Sequence, residues 1–257
     1  MEKPETLLTI AGFDPTGGAG ILRDTSIFRY SGFYGTAVIT ANTAQNTAGV
    51  TDILFQPADL IKNQIKAIQE DFKISGIKIG LPHHDRELNI WIANFIKENK
   101  ILTVFDPVLK PTSGKTFVEN ISSIKPLLEA STVITPNYSE YQQLKKYIDG
   151  IQASIIVKGI VKDNKVEDIL IENGKETLKI SHRIRKKEEV RGTGCAFSSY
   201  LLTLLMKTDL KTAFKKSCKF LQEFREKAVF AGSGKQKINL ECREWRGRRD
   251  SNPRPPA

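Results

Sequence analysis

Gly192-Thr-Gly-Cys195 stands between a basic loop and an apolar stretch beginning Ala196-Phe-Ser-Ser, the pattern of a turn that opens a helix. Glycines let a backbone approach a phosphate closely, and a helix start adds unpaired N–H groups and the positive end of its dipole. Together they make an anion hole, suited to the charge that develops on a phosphoryl group during transfer. An N-cap by Thr193 at the same helix start is compatible with that chemistry. Asn137-Tyr-Ser-Glu140 sets an amide and a carboxylate three residues apart at another helix start. That spacing serves oxygen ligation of Mg²⁺ or a capping box, and spacing alone does not separate the two. Asp106 closes the apolar run Leu102–Phe105, which points its carboxylate into the crevice at the strand ends, and Lys158 closes Ser154–Val157, where a lysine beside glycine is more often a surface charge.

Two further stretches supply polar groups. Thr9-Ile-Ala-Gly-Phe-Asp-Pro-Thr-Gly-Gly-Ala-Gly-Ile21 follows apolar Leu7, Leu8 and Ile10 and precedes a helix-like Ile21–Tyr30. A strand feeding a Gly-rich turn that opens a helix is where α/β proteins bind ligands. The turn is neither GxGxxG nor GxxxxGK[ST], and Gly17, Gly18 and Gly20 serve a tight corner equally well. Strand-like Thr36–Ala41 ends in Asn42, Thr43, Gln45, Asn46 and Thr47, more donors and acceptors than a turn needs and suited to a polar heterocycle.

The elements that must hold these residues alternate along the chain. Leu7–Ala11, Thr36–Ala41, Asp52–Phe55, Gly76–Ile79, Leu102–Phe105, Thr132–Ile134 and Ser154–Val157 read as strands. Between and after them, Ile21–Tyr30, Pro57–Glu70, Asp85–Asn99, Asn137–Ile148, Thr193–Met206 and Leu210–Phe230 read as helices. Lys165–Ile171 and Glu176–Ile180, split by Asn173-Gly174, read as a hairpin. This alternation predicts an α/β fold with a mainly parallel sheet and helices on both faces. No repeat, linker or low-complexity segment divides residues 1–240, which are expected to form one domain. Residues 241–257 have no apolar periodicity and are expected to be a disordered basic tail. One codon path for Asp250–Pro253 matches the complement of a transfer-RNA gene's T-arm, so the tail is expected to be a frame extension, which sequencing the locus tests.

Composition narrows the class. The 257 residues are 40% hydrophobic and 26% charged, ordinary for a globular protein, and no apolar run approaches the roughly 18 residues of a membrane span. The start Met1-Glu-Lys-Pro-Glu-Thr carries no apolar signal region, and Cys195, Cys218 and Cys242 form no CxxC pair, so the cytoplasm is expected. His83, His84 and His182 have no spaced Cys or His partners, which argues against structural zinc. The net charge of +10 suits attraction of an anionic substrate such as ATP. A nucleic-acid partner is not expected, because Arg183-Ile-Arg-Lys-Lys187 runs into Glu188-Glu189 and no binding motif accompanies it. The oligomeric state stays open, a homodimer being the commonest closed arrangement.

Thr9–Val50, Lys78–Gly80, Val104–Gly114, Ile134–Glu140, Val157–Gly159 and Gly192–Ser199, in that order, resemble the motifs of hydroxymethylpyrimidine/phosphomethylpyrimidine kinases, within the ribokinase-like superfamily. The resemblance implies a three-layer αβα sandwich with a mainly parallel central sheet. It implies ATP-dependent phosphorylation of 4-amino-5-hydroxymethyl-2-methylpyrimidine and its monophosphate in thiamine biosynthesis, with Mg²⁺. Gly192, Thr193 and Gly194 would then form the anion hole, Lys158 would contact ATP phosphates, and Asp106, Asn137 and Glu140 would serve the metal. Gly12, Gln45, Leu81 and Val108, with Asp24 near the pocket, would hold the pyrimidine, Gln45 offering it both an acceptor and a donor. Cys195 stands where the superfamily carries its Asp general base. It can act as a base only if its ordinary pKa of about 8.5 is lowered; otherwise it contributes its N–H to the hole. Departures are Gly159-Ile-Val161 for the usual Gly-Gly-His, Val190-Arg191 for Thr-His, Leu81-Pro-His-His for small residues, and a short Glu140–Lys158 segment. They bear on nucleotide affinity and turnover. A vitamin B6 kinase and a catalytically weakened pyrimidine-binding regulator are the alternatives.

Overall fold

The computed structural model describes residues 4–109, 120–183, 189–232, 234 and 236–239. Strand β1 (Thr6–Phe13), third in the nine-stranded sheet, is buried along nearly all its length, Leu8 and Ile10 entering one apolar cluster and Leu7 the other. A mostly apolar run, interrupted here at Thr9, is what a strand covered on both faces shows. Beside it run β2 (Tyr34–Gln45) and β3 (Val50–Phe55) on one side. On the other lie β4 (Ile74–Ile79), β5 (Leu102–Phe105), β6 (Val133–Ile134), β7 (Ser154–Lys162), β8 (Lys165–Glu172) and β9 (Lys175–Arg183). The order is β3-β2-β1-β4-β5-β6-β7-β8-β9; β2 through β7 pair in parallel, and β3, β8 and β9 pair antiparallel at the margins. The order reverses between β1 and β4, and ligands of open α/β sheets bind beyond strand ends at such a point.

One face is covered by α1 (Gly20–Tyr30), α6 (Thr193–Leu205) and α7 (Leu210–Glu226) through Phe28, Phe197, Leu201 and Phe214. The other is covered by α2 (Ala58–Asp71), α3 (Arg86–Glu98), α4 (Lys125–Ala130) and α5 (Tyr138–Ile148) through Ile61, Ile65, Leu88, Leu127 and Leu144. The three-layer αβα arrangement implied by the resemblance is the observed one.

Several elements differ from the sequence-based expectation. β2 does not stop at Ala41; its polar end pairs with β3, Ala41 opposite Phe55 and Ala44 opposite Asp52, so Thr43 and Gln45 share a strand face. α4 and the 3₁₀ turn Ile121–Ile124 before it were not expected, since six residues with Pro126 in the first turn give no helical period to read. The last helix ends at Glu226 rather than Phe230, because β10 (Ala228–Val229) pairs with β11 (Ile238–Asn239). The expected disordered tail, residues 241–257, lies outside the described residues.

A buried ion pair pins the layers together. Lys78 of β4 and Asp24 of α1 have fully buried side chains, 2.8 Å apart, and the Asp24 carboxylate also accepts from Thr9 Oγ1 of β1 (2.7 Å) and Ser199 Oγ of α6 (2.8 Å). Removing one member of such a pair leaves an uncompensated buried charge. Lys78→Met is therefore expected to cost about 3–5 kcal/mol of stability in urea unfolding. Asp24→Asn combined with Lys78→Met should recover most of it, and a double variant as unstable as the sum of the singles would refute this coupling.

Candidate active site

The first turn of α6 lies against the turn that follows β1. Gly192, at the N-cap, has a left-handed backbone (φ 71°), and a Cβ there would fall 1.9 Å from the Gly18 carbonyl oxygen, so only glycine fits. The cap is therefore Gly192, and Thr193 is the first helical residue rather than the cap expected from sequence. The first intrahelical bond is Ala196 N–H to the Gly192 carbonyl (2.8 Å), which leaves the N–H groups of Thr193, Gly194 and Cys195 outside the helix ladder. No side-chain cap bonds them and no acid sits in this turn.

Facing this helix start are Asp106 just after β5, Thr135 just after β6 and Lys158 within β7, a strand that runs on to Lys162 instead of ending at Val157 as expected from sequence. Lys158 Nζ donates to Asp106 Oδ1 at 2.8 Å, and Thr135 Oγ1 donates to the same oxygen at 3.2 Å. A Cβ at Gly194 would lie 3.0 Å from Asp106 Oδ2, so the missing side chain is what lets the helix start approach the pair. Burial opposes ionisation of Asp106, but the Lys158 and Lys78 ammonium groups outweigh it and hold the carboxyl below the usual carboxylate range. Lys78 is opposed by burial too, yet Asp24, Cys195 and Asp106 hold its ammonium above the ordinary lysine range. Gly80 makes room for that ammonium, since a Cβ there would meet Lys78 Nζ at 2.7 Å.

The capping box at α5 is fully formed: the Asn137 side chain accepts from Glu140 N–H (2.9 Å) and Glu140 Oε2 accepts from Asn137 N–H (2.8 Å). Glu140 is buried at the cavity wall, which pushes its carboxyl up to about 7, and the Asp106 charge adds to the rise. Capping therefore does not exhaust this carboxylate.

Gly12, Gln45, Leu81, Val108, Asp106, Asn137, Glu140, Lys158 and Gly192–Cys195 all line one cavity of about 350 Å³, with Lys78 and Arg191 among its other walls. Gly12 is open to Leu81, whose Cδ2 would lie 2.9 Å from a Cβ there. Asp24 does not line the cavity; it lies beneath, its oxygens occupied by Lys78, Thr9 and Ser199. It positions Lys78 instead of meeting a ligand. Lys78 belongs to a quoted motif, but nothing in its sequence neighbourhood marks a strand lysine as a buried cation.

Cys195 does not meet the condition set for a base. Burial pushes its thiol up to about 11, with Asp24 and Asp106 acting in the same sense against Lys78 and the Gly20 N–H. About one thiol in ten thousand is then ionised at pH 7. Burial and two carboxylates outweigh the groups that favour the thiolate.

A second cluster steadies β7 beside Lys158, where its register with β8 shifts. Asp168 Oδ1 accepts from Gly159 N–H (2.8 Å), while its Oδ2 is met by His182 Nε2 (3.2 Å) and Cys218 Sγ (3.6 Å). His182 thus has a Cys partner in space that its sequence spacing did not reveal. Burial and then the Asp168 charge push the Cys218 thiol up, so it remains a neutral donor, and the Arg225 cation acts on the same carboxylate.

An αβα sheet with its ligand crevice at the strand-order reversal, an uncapped helix start and facing lysines defines a ribokinase-like small-molecule kinase. A hydroxymethylpyrimidine/phosphomethylpyrimidine kinase of Aquifex aeolicus is 34% identical over 248 residues, 88% of this chain and 96% of that one. The phosphomethylpyrimidine kinase crystal structure from Clostridium difficile has 28% identity and a TM-score of 0.69, covering 85% of this chain and 98% of that one. The Staphylococcus aureus pyridoxal kinase in complex with AMP-PCP and pyridoxal has a TM-score of 0.79 over 92% of this chain and 93% of its own, at 21% identity, a likeness of fold. The model of the phosphomethylpyrimidine kinase family matches residues 14–239, and the chain belongs to that family. No helix among the described residues is long and apolar enough to cross a membrane.

Glu140 gives a pH test. Between about 4.5 and about 7 the unfolded chain has released this proton while the folded protein keeps it, so stability falls as pH rises through that window. Glu140→Gln retains an acceptor for the Asn137 N–H and removes the titration. Its melting temperature should change less than wild type's from pH 4.5 to pH 7, and an unaltered slope would refute the assignment.

Proposed function

We propose that this protein transfers the γ-phosphoryl group of ATP to the hydroxymethyl oxygen of 4-amino-5-hydroxymethyl-2-methylpyrimidine, and then to the phosphate of the monophosphate formed, in thiamine biosynthesis. The observation that carries the reading is the uncapped α6 start opposite the Lys158–Asp106 pair, sharing one cavity with Gln45, Leu81 and Val108. The 34% identity to a kinase so named, over nearly the whole of both chains, supports the same substrates.

In the first step the hydroxymethyl oxygen bonds to the γ-phosphorus as the bond to ADP breaks, and the hydroxyl proton leaves to solvent. Charge develops on the equatorial phosphoryl oxygens, which the N–H groups of Thr193, Gly194 and Cys195 and the ammonium of Lys158 are placed to stabilise. Transfer of this kind depends on positioning and electrostatics more than on covalent chemistry by the protein. Cys195 acts through its N–H, its thiol staying neutral.

The oxygens of Asp106, Asn137 and Glu140 fit Mg²⁺, a hard cation, and the repulsion by which Asp106 raises Glu140 is what a nearby cation relieves. When bound, Mg²⁺ supplies neutralisation of ATP phosphate charge. Glu140 and Asp106 would orient its shell, while Asp168, through the Gly159 N–H, holds the irregular stretch of β7 that carries Lys158.

A vitamin B6 kinase remains the nearest second substrate class. The fold likeness to a pyridoxal kinase at 21% identity does not reach substrate choice. Coupled ADP release with ATP and Mg²⁺ is expected to show turnover of both pyrimidines and a lower kcat/KM for pyridoxal; a higher value for pyridoxal, or no ADP release, would reject the reading. Cys195→Ala should keep both phosphorylations within about fivefold of wild type, because the N–H survives the change. A thiolate base would instead show as a loss of about 10²–10⁴-fold confined to the first phosphorylation, whose acceptor alone must lose a proton.

A further inference from the structure

Arg191 immediately precedes the left-handed Gly192, yet its side chain runs away from the anion hole, across the turn after β1, to the end of β2. Its Nε donates to Asp14 Oδ2 (3.0 Å), and its Nη1 to Gln236 Oε1 and the Asn46 carbonyl (3.2 Å each). Its Nη2 donates to Gln45 Oε1. The side chain is only 10% exposed. Gly18 leaves the space for its stem, since a Cβ there would lie 2.7 Å from Arg191 Cδ. Asp14 is itself fixed, accepting from the Thr16 N–H and hydroxyl (2.9 and 2.8 Å) and from the Ala19 N–H (3.0 Å). The guanidinium is therefore held in one orientation by groups on three segments of the chain.

We propose that Arg191 is the specificity-positioning residue of the pyrimidine end: by holding Gln45 Oε1 it leaves the Gln45 NH₂ as the edge offered to the cavity. A guanidinium only donates, so it fixes which end of the amide it meets. An NH₂ edge seeks a lone pair in the plane of the ligand. The feature recognised is thus an unprotonated ring nitrogen of an aromatic heterocycle, and an exocyclic amino group is left to other contacts. Without the guanidinium the amide turns freely and presents either edge, so discrimination is lost while the cavity persists. Engaged in this way, Arg191 is not a phosphate ligand; Lys158, Lys78 and Arg225 are the other cations that line the cavity among the described residues. The inference rests on the kinase reading only for the identity of the heterocycle.

The test measures Kd by calorimetry for hydroxymethylpyrimidine and for its two analogues in which one or the other ring nitrogen is replaced by CH. Wild type should bind one analogue about 10–100-fold more weakly than the parent. In Arg191→Ala that ratio should fall to within about threefold of unity, and Arg191→Lys, which keeps the charge without the fork, should not restore it. Gln45→Glu keeps a partner for Arg191 but loses the NH₂, and should raise the Kd for the parent pyrimidine about tenfold or more with the Kd for ATP within twofold. Equal binding of all three compounds by wild type, an unchanged ratio in Arg191→Ala, or an unchanged pyrimidine Kd in Gln45→Glu would overturn the proposal. If Arg191→Ala does not fold, Arg191→Lys decides, since it too should bring the ratio to within about threefold of unity and an unchanged ratio in it would overturn the proposal. Failure of the kinase reading would appear separately, as binding of the heterocycle without ADP release.

Discussion

The charge pair buried between Asp24 and Lys78 is the constraint around which the rest is arranged. A lone carboxylate or ammonium in that interior would be prohibitively costly, so each demands the other, and Thr9 and Ser199 satisfy the remaining lone pairs. The demand reaches across two strands and two helices, which ties α1 and α6 to the sheet at the level of the cavity floor. It also decides the sign of the floor. Asp24 and Asp106 alone would repel an incoming phosphate; Lys78 and Lys158 answer them, and Lys78 is held charged at every working pH. The anion hole can stand above two carboxylates because each is paired.

The glycines around that floor act by absence. Gly192 and Gly18 meet backbone to backbone, Gly194 admits the Asp106–Lys158 pair to the helix start, and Gly80 leaves room for the Lys78 ammonium. The first two contacts join the start of α6 to the loops after β1 and β5, and the third lies within the sheet at the end of β4. The cavity is therefore formed by close approaches that a single methyl group would prevent, and its dimensions are set by the fold rather than by long flexible side chains.

The sequence made much of this legible. Periodicity located most strands and helices, because both sheet faces are covered and apolar runs are long enough to read. Motif order brought Gly12, Gln45, Asp106, Asn137, Glu140, Lys158 and Gly192–Cys195 to one crevice. What stayed hidden is the coupling between distant residues. Asp24 looked like a pocket residue because its place along the chain does not show that Lys78 stands between it and the cavity. His182, Asp168 and Cys218 meet although β8, β9 and α7 each present only one of them. The sequence left Cys195 open between base and N–H donor, because burial beside two carboxylates, which pushes its thiol up, is encoded by no local pattern. Arg191 stood out as a departure before Gly192, but its partners Asp14, Gln45 and Gln236 are far away in sequence.

The protonation of Cys195 bears on how one site can serve two acceptors. On the proposed function, the first acceptor is a neutral alcohol and the second is a phosphate oxygen that is already ionised. A fixed base would help only the first. Backbone N–H groups and lysine ammonium groups act on the transferring phosphoryl group, which is the same in both steps, and so assist both alike. A thiol held neutral adds no negative charge where a second phosphate must enter, whereas a carboxylate or thiolate at the same place would repel it. On that proposal, a neutral side chain at position 195 spares the second acceptor a repulsion as an alcohol and its own phosphate ester take turns in one cavity.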